Sequence, residues 1–287
     1  MPYAVHEGVR IHYRIVGDGP PLILHHGFTQ SLKRWYLCGY VEALSKDYKV
    51  IAMDPRGHGE SDKPHDPAAY ELTLRVKDVI TVLDHLGIDR AAFWGYSNGG
   101  RIAFGLAKYW PERVSALIIG GHDPYERRIP EAARFDGKNA GSFLDILLLR
   151  LNMDASKMKP ERRQELLAND FEALAAAQQD EPSIEDVLPS MTMPCFVYSG
   201  ERDPFYPQVQ RCVPLIPNVT FVTLPGYDHP AAFWNSGAIV PQVVSFLRAA
   251  GLPPESTDAT ADATTDAAPV ETTASTAADA TAPAGDR

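Results

Sequence analysis

Apolar and polar positions follow two alternating periods along the first half of the chain. Short runs dense in aliphatic and aromatic residues, LILHHG (22–27), KVIAMD (49–54) and AAFWG (91–95), predict buried strands. Between them, Leu32–Ser45 and Leu72–Leu86 carry apolar residues at helical spacing and predict amphipathic helices. Strands that alternate with helices in this way predict an α/β fold with a parallel sheet and helices on both faces.

Further elements extend this pattern at both ends. Ala4–His6 and Arg10–Val16 are separated by a Glu-Gly pair typical of a tight turn, so they predict a hairpin. A helix is predicted over Asn98–Trp110, ended by a proline. The remaining predicted strands are SALIIGG (115–121), PCFVYSG (194–200) and VTFVTLPG (219–226), and the last helix is predicted to end near Leu247.

Residues 122–190 interrupt the alternation. They contain SFLDILLLRL and PERRQELLANDFEALAAAQQ, two amphipathic helical patterns without a strand between them. This segment predicts a helical cap inserted into a core formed by residues 1–121 and 191–252. Phe143, Met153 and Met158 are expected to close an apolar pocket under the cap, although some cap residues would only cover the sheet.

The last part of the chain, residues 253–287, has a different composition. It is rich in Ala, Thr and Asp, with no aromatic residue, and predicts a disordered acidic tail because it offers too little apolar surface to fold. The tail carries a net charge of −6 of the total −10, which leaves a mildly acidic body. A body without a basic run argues against nucleic acid and anionic membranes as partners, and the oligomeric state stays open.

Localisation is predicted from what the chain lacks. The first residues show no secretory signal, and no apolar run is long enough to span a bilayer. Three widely spaced cysteines, Cys38, Cys195 and Cys212, argue against a disulfide framework or a zinc cluster. We therefore expect a cytoplasmic protein with free thiols and no metal.

The motif GYSNG, with Ser97 at its centre, lies between a predicted strand and a predicted helix. The residues two before and two after the tip of such a sharp bend approach each other closely, and Gly95 and Gly99 are the residue type that this requires. A strand, a bend of this composition and a helix together predict a nucleophile elbow that exposes the serine hydroxyl. A serine that only caps its helix is the simpler alternative.

Two further residues fit the needs of a nucleophilic serine. A hydroxyl requires a neutral base, and the base requires an orienting carboxylate. His229 and Asp203 each follow a predicted strand at the same sheet edge as Ser97, in the chain order Ser, Asp, His. Asp123 is a rival carboxylate and His122 a rival base, whereas Asp228 is a weak candidate because adjacent residues rarely face each other.

The oxyanion formed by attack also needs donors. The amide of Asn98 opens a helix, and the amide of Phe28 follows Gly27, which permits close backbone approach. These two amides are the predicted oxyanion hole. A structural role at the turn is expected for His25 and His26.

With these residues in view, the chain resembles the α/β-hydrolase fold superfamily from Val5 to about Leu252. The resemblance lies in HHGF at 25–28, DPRGHGESD at 54–62, GYSNGG at 95–100, and GERDP with GYDHP. It implies an eight-stranded, mostly parallel sheet and a triad of Ser97, Asp203 and His229. It implies that Arg56 and His58 have an architectural role and take no part in catalysis, and it implies no cofactor.

The resemblance also narrows the activity. Serine at position 97 disfavours the dehalogenase and epoxide hydrolase branches, which use aspartate there, and Thr29 stands where many epoxide hydrolases and haloperoxidases have proline. The predicted function is hydrolysis of small to medium carboxylic esters or lactones through an acyl-enzyme. A carbon–carbon bond hydrolase, a cofactor-free perhydrolase or haloperoxidase, and a ligand-binding receptor remain alternatives.

Overall fold

A computed structural model describes residues 2–135, 137–150, 156 and 158–253. Within them a single sheet has the strand order β1-β2-β4-β3-β5-β6-β7-β8. Its strands are β1 (Tyr3–His6), β2 (Val9–Val16), β3 (Pro21–His25), β4 (Lys49–Met53), β5 (Ala91–Tyr96), β6 (Val114–Gly120), β7 (Cys195–Gly200) and β8 (Val219–Leu224). β1 pairs antiparallel with β2, as β2 does with β4, and the other neighbours are parallel. The predicted α/β fold with an eight-stranded, mostly parallel sheet is confirmed.

Helices connect most of the parallel strands. They are α1 (Lys33–Leu37), α2 (Tyr40–Leu44), α3 (Leu72–His85), α4 (Asn98–Tyr109), α5 (Ala140–Arg150), α6 (Pro160–Leu167), α7 (Phe171–Ala176), α8 (Tyr206–Cys212), α9 (His229–Trp234) and α10 (Ser236–Ala249). Because a strand directs successive side chains to opposite faces, the sheet feeds two apolar layers. In β5, Phe93 packs in the layer that holds α3 and α4, whereas Ala92 and Trp94 pack in the layer that holds α10.

Two predicted helices are each divided in the structure. The pattern over Leu32–Ser45 forms α1 and α2, separated at Gly39, whose φ of +78° lies in the left-handed region that ends a helix. The second cap pattern forms α6 and α7, because the side chain of Asp170 accepts from the amide of Ala173 and starts a new helix. The prediction of one continuous helix was therefore wrong in both places, because a capping residue divides the helix.

Helices α5, α6 and α7 lie between β6 and β7 in the chain, within residues 122–190, which we call the cap segment. They share a small apolar cluster formed by Phe135, Phe143, Leu144, Leu147, Leu148, Leu166 and Leu174. Phe28, in the loop after β3, and Met158 pack against the same cluster. Met153 and residues 254–287, the bulk of the predicted tail, lie outside the described residues.

Candidate active site

Ser97 occupies the bend between β5 and α4. Its backbone has φ +56° and ψ −116°, a conformation that costs a non-glycine residue on the order of 1–3 kcal/mol. A Cβ atom on Gly95 would overlap the carbonyl of Gly99, and one on Gly99 would overlap the carbonyl oxygen of His25. Both glycines of the motif are therefore required by close approach of the backbone, which holds Ser97 at the tip of the bend.

A line of hydrogen bonds joins the three residues of the predicted triad. Nδ1 of His229 donates to Oδ2 of Asp203 at 2.7 Å, since a carboxylate can only accept. Nε2 is then free to accept from the hydroxyl of Ser97, whose Oγ lies 2.9 Å away. The side chains of His229 and Asp203 are both buried. The structure thus brings the three predicted residues together in the order serine, base, carboxylate.

The surroundings fix this geometry. Gly121 has φ +56°, and a Cβ there would lie 2.9 Å from Oδ2 of Asp203 and 3.1 Å from Cε1 of His229. The hydroxyl of Tyr96 donates to the carbonyl of His229. Oδ1 of Asp203 accepts from the amide of Phe205 at 2.9 Å, so the carboxylate has a second partner. The strand ends of β5, β6 and β7 therefore all contribute to positioning the imidazole.

The rival candidates have other partners. Asp123 accepts from Arg127 at 2.8 Å and from the amide of Tyr125 at 3.0 Å. His122 is buried, which lowers its pKa to about 3, and its Nε2 accepts from Arg127 at 3.1 Å. Asp228 caps α9 by accepting from the amide of Ala231 at 2.8 Å.

The loop after β3 carries the predicted oxyanion residue Phe28. A Cβ on Gly27 would lie 3.1 Å from Cβ of Ser97, so the loop passes close to the nucleophile elbow. Thr29, the next residue after Phe28, has φ +66°, an angle that the proline ring cannot reach. Within the described residues, the amide of Phe28 has no backbone or side-chain acceptor, and Asn98 is the first residue of α4, whose amide has no partner in the preceding turn.

The remaining motif residues contact the fold. Arg56 donates to both carboxylate oxygens of Asp78. His58 is buried, which lowers its pKa to about 3, and its Nδ1 lies 3.2 Å from the carbonyl of Arg56. His25 and His26 each bond to a backbone carbonyl in their own turn, and burial holds the pKa of His25 well below its usual range. These contacts agree with the structural roles expected for the four residues.

Two cavities meet at Ser97. One, of about 130 Å³, is largely apolar and is lined by residues that include Leu147, Leu148, Met158, Leu166 and Phe233. The other, of about 100 Å³, has a lining made mostly of polar and charged residues, which include Arg75, Asn98, His122, Arg127, Gln178 and Glu181, and we call it the polar cavity. Phe28, Ser97 and Phe205 line both cavities. Of the residues predicted to close an apolar pocket, Met158 lines the apolar cavity, whereas Phe143 is buried inside the cap cluster and lines neither cavity. The charged side was not predicted from the sequence.

A larger cavity adjoins the apolar one, with which it shares Thr29, Gln30 and Arg162. It has a volume of about 530 Å³ and is lined by charged residues such as Arg34, Lys63 and Glu165, but by none of the predicted triad. Among the described residues no cluster of three or more His, Cys, Asp or Glu side chains is arranged to hold a metal ion. In the same part of the chain, no helix has the length and hydrophobicity needed to cross a bilayer.

Comparison with known proteins agrees with this fold. The family model described as alpha/beta hydrolase fold matches residues 20–145. The enol-lactonase from Burkholderia xenovorans LB400 is 27% identical, with a TM-score of 0.76 over 86% of this chain and 100% of that chain. An N-acyl homoserine lactone degrading enzyme is 28% identical, with a TM-score of 0.68 over 86% of this chain and 99% of that chain.

A sequence relative points to another activity within the same fold. Bifunctional epoxide hydrolase 2 of Sus scrofa is 37% identical over 115 residues, which are 39% of this chain and 20% of that protein. The match therefore spans only about a fifth of the relative's length. Together, the fold, the family match and the structural neighbours establish that the chain belongs to the α/β-hydrolase superfamily.

Proposed function

We propose that the protein is a serine hydrolase of carboxylic esters or lactones. The observation that carries the proposal is the hydrogen-bonded line from Ser97 through His229 to Asp203 at the tip of a strained elbow. A buried carboxylate on Nδ1 fixes the tautomer in which Nε2 can take the serine proton. The arrangement supplies a nucleophile, a base and an orienting group.

The reaction follows from these positions. Oγ of Ser97 attacks the carbonyl carbon of the substrate while Nε2 of His229 takes its proton. The amides of Phe28 and Asn98 are the proposed donors to the oxyanion. As the tetrahedral intermediate collapses, the alkoxide leaving group takes the proton from His229 and an acyl-enzyme remains. Water, deprotonated by the same histidine, then attacks the acyl carbon. The bond from that carbon to Oγ breaks, Oγ takes the proton back from His229, and the acid is released.

Epoxide hydrolysis fits these residues poorly, despite the match to an epoxide hydrolase. A carboxylate nucleophile that opens an epoxide forms an ester, which water can hydrolyse at its carbonyl carbon. A serine hydroxyl would form an ether, which has no such carbonyl and would block the enzyme after one turnover. Residue 97 is serine, so the chemistry favours acyl transfer.

The cavities support small to medium substrates. The two that meet at Ser97 have volumes of about 130 Å³ and 100 Å³, which favour short chains over polymers. Two structural neighbours above one quarter identity are described as acting on lactones, and this resemblance supports lactones beside open-chain esters.

A panel of p-nitrophenyl esters of increasing chain length, with several lactones followed by pH-stat, tests the proposal. Ser97→Ala should lower turnover by about a thousandfold or more. Ser115→Ala is the matched control, since its Oγ is buried without a hydrogen-bond partner in the described structure and should be dispensable. Equal turnover by Ser97→Ala and wild type, or no turnover by wild type, would overturn the ester and lactone assignment and direct attention to carbon–carbon substrates, perhydrolysis or ligand binding.

A further inference from the structure

The polar cavity beside Ser97 has an unusual concentration of charge. Arg75, Arg127 and Glu181 line it. Asp123 pairs with Arg127, and Arg101 interacts electrostatically with Arg127, Asp123 and Glu181. His122 also lines the cavity but is neutral at pH 7, since burial lowers its pKa to about 3. The group contains three guanidinium groups against two carboxylates, which leaves one positive charge in excess.

The carboxylates of this group are already engaged. Arg127 donates at 2.8 Å to Oδ2 of Asp123 and at 2.8 Å to Oε2 of Glu181. Arg101 lies away from the cavity lining and donates to the carbonyls of Pro124 and Pro182. The paired charges therefore account for Arg127 and for both acids.

Arg75 is the cation that lines the cavity without a carboxylate partner. Its guanidinium donates to the side-chain carbonyl of Asn98, and within the described residues no carboxylate lies at ion-pair distance from it. The side chain is half-buried, and this burial lowers the pKa of Arg75 from its ordinary value. A guanidinium has five N–H donors, so the bond to Asn98 leaves most of the donors of Arg75 available to a ligand.

The position of Arg75 links it to the reacting centre. Asn98 follows Ser97 directly and supplies one of the proposed oxyanion amides, and all three residues line the same cavity. A planar guanidinium binds a carboxylate through two parallel hydrogen bonds. A carboxylate bound here would satisfy the donors of Arg75 and neutralise the excess charge.

We infer that Arg75 binds a carboxylate group of the substrate, so that the natural substrate is an anionic ester or lactone. The carboxylate would occupy the polar cavity while the remaining apolar part of the substrate occupies the cavity lined by Leu147, Leu148 and Met158. Ser97 and Arg75 line the same cavity, so the arm that carries the carboxylate begins beside the reacting carbonyl. This inference rests on the proposed function, because it assigns a substrate class to the same site.

Matched pairs of substrates test the inference. One pair carries the charge on the acyl side, mono-p-nitrophenyl glutarate and its methyl ester, and the other on the alcohol side, 4-acetoxybutanoate and its methyl ester. Spontaneous hydrolysis is subtracted. Because an ionic hydrogen bond typically contributes a factor of about ten or more, wild-type kcat/KM should favour the anion over its methyl ester by about tenfold or more in at least one pair.

For each variant, kcat/KM for the anion is divided by kcat/KM for its methyl ester, and this ratio is compared with that of wild type. Arg75→Gln should abolish the preference for the anion, and Arg75→Lys should retain part of it, because a lysine keeps the charge but not the bidentate geometry. Arg128→Gln removes one charge from an exposed residue of the cap segment, paired with Glu126, and should leave the ratio unchanged. An equal or lower rate for the anion in both pairs, or an unchanged ratio in Arg75→Gln, would overturn the inference.

A binding measurement separates this inference from the proposed function. Ser97→Ala protein is titrated calorimetrically with monomethyl glutarate and with dimethyl glutarate. Binding of the acid alone, lost in the Ser97→Ala, Arg75→Gln double variant, supports the carboxylate site even if no ester is hydrolysed. Hydrolysis of neutral esters with no selective binding of the acid would overturn the site and leave the proposed function intact.

Discussion

Gly95 and Gly99 approach each other so closely across the bend at Ser97 that a Cβ on Gly95 would overlap the carbonyl oxygen of Gly99. Gly95 is the fifth residue of β5, and Gly99 lies in the first turn of α4. The strand can therefore turn into the helix within one residue, and that residue is forced to φ +56°. The exposure of the Ser97 hydroxyl is a direct consequence of two missing side chains.

Gly95→Ala should therefore disrupt the elbow. The added methyl group meets backbone atoms, which cannot rotate away, so we expect a loss of about 1–3 kcal/mol or more in the free energy of unfolding and loss of ester hydrolysis. Gly237→Ala is the matched control. That glycine lies in α10, where an added Cβ would have no atom within 4 Å, and alanine there should stabilise by up to about 1 kcal/mol. Urea unfolding of both variants measures the difference, and equal stabilities would contradict the packing argument.

Asp203 and Asp123 are distinguished by their partners. Asp203→Asn should lower kcat by about 10³–10⁴, because an amide on Nδ1 no longer requires the tautomer that leaves Nε2 free to accept. Asp123→Asn should keep kcat for a neutral ester within about tenfold, since Asp123 pairs with Arg127 and not with the imidazole. Steady-state rates of the two variants on a neutral ester provide the test. A larger loss in Asp123→Asn would transfer the orienting role to Asp123.

Stability should fall as the pH decreases from about 6.5. Burial holds the pKa of His58 and His122 at about 3, whereas a histidine of the unfolded chain titrates near 6.5. The unfolded chain therefore binds more protons between about pH 6.5 and about pH 3. In that window the free energy of unfolding decreases by up to about 1.4 kcal/mol per pH unit for each histidine.

Urea unfolding between about pH 7 and about pH 4 checks this slope. His122→Gln removes one depressed group while keeping an acceptor for Arg127, so its stability should depend less steeply on pH than that of wild type. The exposed His65 changes stability with pH in the opposite direction. Hydrogen bonding to Asp170 raises its pKa, so its contribution to stability is lost as the pH rises. An unchanged slope in His122→Gln would contradict the assignment of His122 as a buried neutral histidine.

Thr29→Pro should damage the loop that carries Phe28. Proline fixes φ near −65°, whereas Thr29 adopts +66° and is buried. We expect a lower melting temperature and the loss of most ester hydrolysis. Thr29→Gly should retain activity, because glycine adopts positive φ without a steric cost. Full activity in Thr29→Pro would show that this loop conformation is not required for catalysis.

The elbow and the carboxyl-end loops could be predicted from the sequence because their signals are local. The two glycines around Ser97 are required by the bend itself, and the loops of Asp203 and His229 directly follow apolar runs that form β7 and β8. The breaks at Gly39 and Asp170 also have local signals, a glycine that adopts positive φ and an aspartate three residues before the amide that it caps. Both could have been found by attention to capping residues.

The polar cavity could not be predicted in this way, because no local sequence signal marks it. Arg75 belongs to the continuous amphipathic helix α3, about twenty residues before Ser97, and an arginine at the edge of an apolar face is ordinarily exposed. Arg127 and Glu181 come from opposite ends of the cap segment and are joined by an isolated antiparallel bridge. Their convergence beside Ser97 depends on tertiary packing, which neither periodicity nor spacing reports.

The central claim is an acyl-enzyme on Ser97, and intact-mass spectrometry after rapid acid quenching tests it most directly. With excess p-nitrophenyl butyrate, wild-type protein should gain the mass of one butyryl group, and peptide mapping should locate it on the peptide that contains Ser97. Ser97→Ala protein, incubated identically, should gain none. A butyryl group on another residue, or steady hydrolysis by wild type together with an equally acylated Ser97→Ala variant, would contradict the account.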